Sequence, residues 1–541
     1  MDKPHFTRDW VFLLCLAVLA AVVATVMIVR FQAAPTPLER DEGEYALMGQ
    51  LILDGAPPYR EAGNMKLPGT YYAYSAILAA FGQTARGVHM GLMAVNLLSI
   101  VLLYLIARSL MGVAGAALAG AAFCIMSADL SVLGLFAHAT HFVVLFALAG
   151  IWLLRESAKS KRELPLLWGS GLCLGLSVLM KQSGAFFALF GFLWLLYGTL
   201  RRRPVQWKRC LLKSGTMAGG IILPYAVVFA LMAAQGVLDR FWFWTVDYAR
   251  AYVSQVDLKT GTQLFLSAII PIFQSNPVIW AMALAGMIGA WFTESGRKAA
   301  PFLLAFFLFS FLAVCPGFFF RPHYFVQLLP AAALLAGAGL GEIGRLASRY
   351  TNKSEAVQFA VLVAVAAFSL TGVVSMGRLL WTTPPEAFSR SVYGANPFPE
   401  SVKIAEYLAK NTSPGDRIAV LGSEPQICFY ARRRPATEHI YMYGLMESQP
   451  FARRMQEELI AQVERSEPPF LVLVQVPTSW LQQPDSEKKV FFWLRDYLND
   501  YYRPVLVAEI YSGRTLWLLD KEAESISPRS GSSRIIVFKR R

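Results

Sequence analysis

A mainly α-helical, polytopic membrane protein with a small α/β domain at its C-terminal end is the fold class this sequence predicts. Three observations carry it. Of 541 residues, 55% are hydrophobic and only 16% charged, against about 25% charged in a soluble protein. Mean hydropathy is +0.44. The charge deficit sits in long uncharged runs that recur, by our reading, about eleven times, each of a length that crosses a bilayer. From about residue 385 the pattern changes to short β-rich runs alternating with amphipathic stretches, the signature of an α/β unit.

The first span is Trp10–Val29, preceded by Lys3 and Arg8. Basic residues stay on the cytoplasmic side, so the N-terminus is expected there. A cleaved signal peptide is disfavoured by the length of the run and the absence of a small-x-small site before Arg30. Further spans are expected near 88–107, 111–128, 130–153, 165–181, 184–200, 214–235, 275–293, 301–316, 324–340 and 358–377. An odd count puts the C-terminal part on the opposite side from the N-terminus. The loop charges agree: Arg155, Lys159, Lys161, Arg162, then Arg201, Arg202, Arg203, Lys208, Arg209 and Lys213, then Arg297, Lys298, Arg345, Arg349 and Lys353, all fall in loops expected inside. The outer loops are 30–87, the aromatic stretch 236–264 (FWFWTVDYARAY) and the short GFFFRPHY at 317–324. Aromatic residues near a boundary are ordinarily interfacial anchors, which accounts for most of the second loop.

The chain therefore divides into a transmembrane domain, 1–384, carrying the long loop 30–87; an extracytoplasmic α/β domain, 385–520; and a basic tail, 521–541, expected to be disordered. Within the α/β domain, helices are expected at Glu400–Lys410 and Arg453–Arg465, where apolar residues recur at helical spacing. Strands are expected at RIAVLG (417–422), LVLVQV (471–476), PVLVAEI (504–510) and TLWLLD (515–520).

The formal net charge of +14 is topological rather than nucleic-acid binding, because the basic residues sit in short loops between apolar runs and not on one domain face. Six cysteines without a CxxC pair indicate neither a zinc site nor a disulfide framework. No phosphate-cradling glycine motif or GxSxG elbow is present. The sequons at Asn352 and Asn411 carry little weight.

Chemistry concentrates in RDEGEYALMGQLILDGAPPYREAGNMK, residues 40–66. Asp41 and Glu42 are paired carboxylates at a membrane face, where a shifted pKa suits general-base work. A second reading of Asp41 is open: Tyr45, Met48 and Ile52 recur at helical spacing, and Asp41 as N-cap with Glu44 three residues on would complete a capping box. Lys66 precedes Leu67-Pro68, and Pro68 favours an extended Leu67; it points either to a site or, as a snorkelling lysine, to the interface. Lys181, in GLSVLMKQSG, is a cation between two apolar runs, functional by default within a membrane, or a plain loop lysine. Arg321 and His323, in FFFRPHYF, lie at headgroup depth, where a guanidinium clamps phosphate. His138 and His141, spaced by three within the span 130–153, are expected on one helix face; hydrogen bonding between helices explains them better than a metal pair.

DEGEYALMGQLILDG followed by NMKLPG resembles the first external loop of membrane glycosyltransferases with the GT-C fold, within the protein mannosyltransferase, aminoarabinose transferase and galacturonosyltransferase group. GLSVLMKQSG resembles that group's GL-x-x-L-x-K-G segment, and RPHYFVQLLPAAALL a later external loop and span. The resemblance implies a sugar donor on a polyprenyl monophosphate, an extracytoplasmic acceptor hydroxyl, and inverting displacement, with a bacterial inner membrane as the location. It implies Asp41 as general base, with Glu42 either substituting for it or holding an acceptor hydroxyl. Lys66, Lys181, Arg321 and His323 would hold the donor phosphate, and Tyr45, Tyr59 and Tyr324 are the expected substrate contacts. No cofactor is required and no metal ligand set is identified, a divalent metal being left open. The competing class is a transporter or flippase of lipid-linked sugar. It is disfavoured by the heavy first loop and by the lack of a clear internal repeat; a sensor would not need about eleven spans.

Overall fold

A computed structural model describes residues 6–201, 204–289, 291, 294–351, 353–511, 514–524 and 533–541. Lys3, Arg202, Arg203 and Asn352, and positions 525–532 of the tail, lie outside the described residues. All eleven expected spans fall on helices. Among the described residues, seven helices are long and apolar enough to cross a membrane: Trp10–Ala33, Ala85–Arg108, Ala139–Ser157, Glu163–Met180, Gln182–Leu200, Trp207–Ala234 and Ser354–Thr382. An additional pair, Leu258–Ser275 and Pro277–Gly289, is bent by 100°. The bend has a local cause. Asn276 precedes Pro277 and leaves the helical region at φ −137°, ψ 56°, because a residue before proline is pushed out of it. Large apolar side chains stay exposed on the long helices, Trp10 at 58% and Ile222 at 62%, as a lipid-facing surface requires.

The chain packs as two compact units. The first comprises Met1–Ala33, His89–Val228 and Val256–Thr382. Its centre includes Val113–Met126, an Ala/Gly-rich helix buried from Ala114 to Met126, the kind of surface that lets apolar helices approach closely. Arg30, 3% exposed, donates to the Gly134 carbonyl at 2.8 Å and the Ser127 carbonyl at 2.6 Å. It thereby fixes the turn 127–134, where a continuous span 130–153 was expected. The helix begins only at Ala139, since Leu133 takes a left-handed φ of 52°.

The second unit comprises Ala34–Val88, Phe229–Gln255 and Thr383–Arg541. Residues 34–88, most of the long loop expected at 30–87, are thus compact with residues 383–541. The unit's six-stranded sheet has strands β1 (Arg417–Leu421), β2 (Arg434–Pro435), β3 (Phe470–Gln475), β4 (Tyr502–Ile510), β5 (Thr515–Leu519) and β6 (Ser533–Arg540), in the order β2-β1-β3-β6-β4-β5. β1, β2 and β3 are parallel, and β6 lies antiparallel between β3 and β4. The tail expected to be disordered thus supplies an inner strand. Ile535 and Val537 are fully buried in it, an apolar alternation that the surrounding Ser, Lys and Arg residues obscure. The two expected helices appear as Phe398–Asn411 and Ala452–Ser466.

The aromatic stretch in the 236–264 loop is helical rather than a set of surface anchors. Helix Leu238–Trp242 runs into a π-helical turn, Phe243–Tyr248, burying Phe241, Phe243, Trp244 and Tyr248 to 7% exposure or less.

Within this unit the helix Arg40–Leu53 is bolted to the sheet end. Arg40 pairs with Glu424 at 2.6 Å, donates to the Ser423 carbonyl at 2.6 Å and to the Tyr443 hydroxyl at 2.8 Å. Gly43 makes the approach possible: a Cβ there would lie 2.7 Å from Gln426 Cβ and 2.9 Å from the Gln426 backbone nitrogen. Gly43→Val is therefore expected to destabilise by about 1–3 kcal/mol through overpacking, read as a lowered Tm in detergent. An unchanged Tm would show that the helix does not sit against Gln426.

Candidate active site

The N-terminus of helix Arg40–Leu53 decides which acids are available. Glu39 is the N-cap, accepting from the Glu42 N–H at 2.9 Å, and Glu42 Oε2 accepts from the Glu39 N–H at 3.2 Å. The capping box is present, but two residues earlier than the Asp41–Glu44 box considered from the sequence. Glu42, fully buried, completes the capping box at the helix end. The two-residue shift releases Asp41 and Glu44, three residues apart on one face.

Both carboxylates converge on Lys66. Its Nζ lies 2.9 Å from Asp41 Oδ1 and 2.8 Å from Glu44 Oε2. Glu44, with its side chain fully buried, also accepts from the Asn64 amide and the Tyr71 hydroxyl, each at 2.8 Å. Asp41, 21% exposed, accepts from the Tyr441 hydroxyl at 2.9 Å. The ammonium lies 4.5 Å from the Tyr45 ring centroid and 5.5 Å from that of Tyr441, a cation–π cradle. Tyr59, at φ 66°, donates its hydroxyl to the Lys66 carbonyl at 2.7 Å. Tyr45 and Tyr59, expected as substrate contacts, are 2% and 0% exposed, and both contact Lys66.

Burial alone would lower the Lys66 pKa, but Asp41 and Glu44 overcome it and hold it well above the ordinary range. Lys66 is thus a fixed cation at any physiological pH. Burial raises the Glu44 pKa, with the Asp41 charge adding to it, and the Lys66 and Tyr71 contacts offset only part. A carboxyl whose folded pKa exceeds its unfolded value, near 4.3, stabilises the fold below that value and loses this contribution as pH rises through the folded pKa. Glu44→Gln removes the dependence. From pH 4 to 7 the wild type should therefore lose stability relative to Glu44→Gln in paired thermal melts. The opposite trend would mean that Lys66 outweighs burial at Glu44.

The first unit holds the other sequence candidates. Lys181 ends helix Glu163–Met180 in an extended conformation, φ −161° and ψ 142°, and its Nζ lies 3.5 Å from the Tyr324 ring centroid. His323 stacks on His138, centroids 4.0 Å apart with planes within 10°, and meets Tyr324 edge-on at 4.9 Å. Arg321 lies over the Phe319 ring at 5.8 Å. Just before it, Gly317, Phe318 and Phe320 have φ of 74°, 54° and 42°. Left-handed conformations at two bulky residues store strain. Ser183 donates to Gln327 Oε1 at 2.8 Å, tying the Lys181 turn to the Pro322–Gln327 turn. His138 is the N-cap residue of Ala139–Ser157, not a mid-helix residue, so the shared face expected for His138 and His141 gives way to the His138–His323 stack. Asp129 caps a 3-10 turn, accepting from the Ser131 N–H at 2.8 Å and the Asn276 amide at 3.1 Å.

Residues 65–245 match the family model described as dolichyl-phosphate-mannose-protein mannosyltransferase. ArnT from Cupriavidus metallidurans, in a crystal structure bound to undecaprenyl phosphate, superposes over 96% of this chain and 97% of its own, with a TM-score of 0.59 at 16% identity. The chain has an ArnT-like GT-C fold. The archaeal oligosaccharyltransferase AglB from Archaeoglobus fulgidus matches over 98% of this chain and 76% of its own, with a TM-score of 0.54 at 13% identity. The arabinofuranosyltransferase AftD from Mycobacteria matches over 100% and 42%, with a TM-score of 0.52 at 15% identity. No curated protein sequence matches.

The sequence candidates are drawn from both units. Asp41, Lys66, Tyr45 and Tyr59 gather in the second, and Lys181, His323, Tyr324 and Arg321 in the first. Sequence reasoning gave Glu44 only a capping role and passed over Asn64, Tyr71 and Tyr441. A signal for Glu44 existed, since Asp41 and Glu44 share a helix face; none existed for Tyr441, 400 positions from Asp41.

Proposed function

We propose that this chain is a membrane glycosyltransferase that takes a sugar from a polyprenyl-phosphate carrier and joins it, with inversion, to an acceptor hydroxyl outside the cytoplasm. The observation that carries the reading is the Asp41–Lys66–Glu44 cluster, on the first polar segment of a chain with a GT-C fold. ArnT bound to undecaprenyl phosphate and AglB in complex with a dolichol-phosphate support the class of donor.

Asp41, the more exposed of the two carboxylates, takes the acceptor O–H proton as that oxygen attacks the anomeric carbon. The bond from that carbon to the phosphate oxygen breaks, and its electron pair leaves with the lipid phosphate. Lys66 fixes the orientation of Asp41 with one N–H and grips Glu44 with a second; the charge on its ammonium favours the departing phosphate. The resemblance of their motifs supports Lys181, Arg321 and His323 as further donor-phosphate ligands and Tyr324 as a substrate contact. The proposed location is a bacterial inner membrane, N-terminus cytoplasmic and the α/β region outside.

Purified protein incubated with radiolabelled polyprenyl-phosphate sugars and extracted envelope acceptors is expected to move label to an acceptor. Movement of the labelled lipid across reconstituted vesicles without transfer would instead support a flippase.

A further inference from the structure

A second cluster in the second unit takes no part in this chemistry. Glu438, His439 and Glu458 bring one ligand atom each to within 4.8 Å of one another. The His439 side chain is fully buried, and neither of its ring nitrogens has a hydrogen-bond partner; Glu458 Oε2 is likewise buried without one. Leaving such atoms unsatisfied costs about 1–3 kcal/mol each, so the arrangement needs a reason. The spacing supplies it. His439 Nε2 lies 3.4 Å from Glu458 Oε2, close to the edge of about 3.3 Å that a tetrahedron with bonds near 2.05 Å requires.

We propose that Glu438, His439 and Glu458 form a binding site for a divalent transition metal, of which Zn²⁺ is the type. One imidazole and two carboxylates, each a donor that zinc accepts, leave a fourth position for water. Glu438 lines a cavity of about 470 Å³ with Arg60, Glu61, Arg417, Gln462 and Arg465. Gln462 donates to Glu438 Oε1 at 2.9 Å and orients that carboxylate, as an outer-sphere partner does. The present counter-charge is Arg240, whose Nη1 is 2.9 Å from Glu438 Oε1 and 3.6 Å from Glu458 Oε2. Its side chain is 40% exposed, so it can swing into solvent when a metal takes its place; Arg454 stays on the other oxygen of Glu458, at 3.0 Å.

The site is wired to the Lys66 loop. The Gly63 N–H donates to the Glu438 carbonyl at 2.9 Å, and Gly63 bridges His439 as a single parallel pair. Trp244 closes the arrangement: its ring meets His439 edge-on at 5.8 Å, and a Cβ on Gly63 would lie 2.1 Å from its Nε1. Metal binding would therefore stiffen the segment leading to Lys66.

The test uses full-length protein in detergent, stripped with chelator and titrated calorimetrically with Zn²⁺; Co²⁺ reports geometry through its visible bands. Wild type is expected to bind one ion per chain, with a tetrahedral Co²⁺ spectrum. His439→Gln, which keeps the size and polarity of the residue, should weaken binding by at least about 100-fold. Arg240→Ala, which removes a competing cation, should tighten it about fivefold. Zn²⁺ should slow amide exchange across residues 60–66 in wild type and not in His439→Gln. Absence of binding, equal binding by His439→Gln, or weaker binding by Arg240→Ala would each overturn the assignment. Because Arg240→Ala changes affinity in the opposite direction, a loss from misfolding cannot imitate the full pattern.

Discussion

Asp41→Asn is expected to lower sugar transfer by about 10²- to 10⁴-fold, the range ascribed to a positioned general base, while leaving the fold in place. The amide has nearly the same shape, and its oxygen can still accept from Lys66 Nζ and from the Tyr441 hydroxyl, the partners that hold the carboxylate at 2.9 Å. What it loses is the capacity to take a proton. Stability should change by no more than about 1 kcal/mol, because the Asp41 side chain is 21% exposed and its ion pair is partly screened. Lys66 keeps Glu44 as its second anionic partner. The measurement is transfer rate beside Tm on the same preparation. Undiminished transfer removes Asp41 as the base. Lost transfer with a collapsed Tm leaves it only as a structural support.

Lys66→Met should produce the larger structural effect, destabilising the protein by about 3 kcal/mol, toward the lower end for a broken buried pair because Lys66 and Asp41 retain some exposure. Methionine fills the aliphatic volume but leaves Glu44 fully buried without its cation, retaining only Asn64 and Tyr71. The burial that already raises the Glu44 pKa would then act without the ammonium to offset it, and the carboxyl would hold its proton. The same reasoning predicts rescue. Lys66→Met combined with Glu44→Gln should be more stable than Lys66→Met alone, by a coupling energy of about 0.5–3 kcal/mol in denaturant or thermal unfolding. Strictly additive effects would mean that the two side chains do not share one interaction.

Glu42 and Glu44 show how far the sequence could be read. Both lie in DEGEY, and helical spacing predicts a helix from there. Which carboxylate caps it depends on where the first turn starts. Glu39 takes the N-cap, which commits Glu42 to the box and sends Asp41 and Glu44 to Lys66. A shift of two residues in the helix start is smaller than sequence patterns resolve, yet it changes the partner of every acid in the segment. Tyr441 and Arg240 had no local signal, because their importance lies in residues hundreds of positions away. Strand β6 was hidden for a different reason: its run of buried residues is short and set among basic ones.

The sequence by itself determined the class of molecule. Long uncharged runs can satisfy their backbones in a bilayer only as helices, so the helical membrane architecture and the change to α/β near residue 385 follow from composition and period. It also marked Asp41, Lys66, Lys181, Arg321 and His323, because charge beside apolar runs is costly and rarely idle. Only the tertiary structure decided their partners: that Lys66 is shared by Asp41 and Glu44, that His323 stacks on His138, that loop 34–88 is compact with residues 383–541, and that His439 is buried beside two carboxylates. The physical reason is range. Helical period and hydropathy act over a few residues, whereas burial, hydrogen bonding and pKa depend on groups that folding brings together from distant parts of the chain.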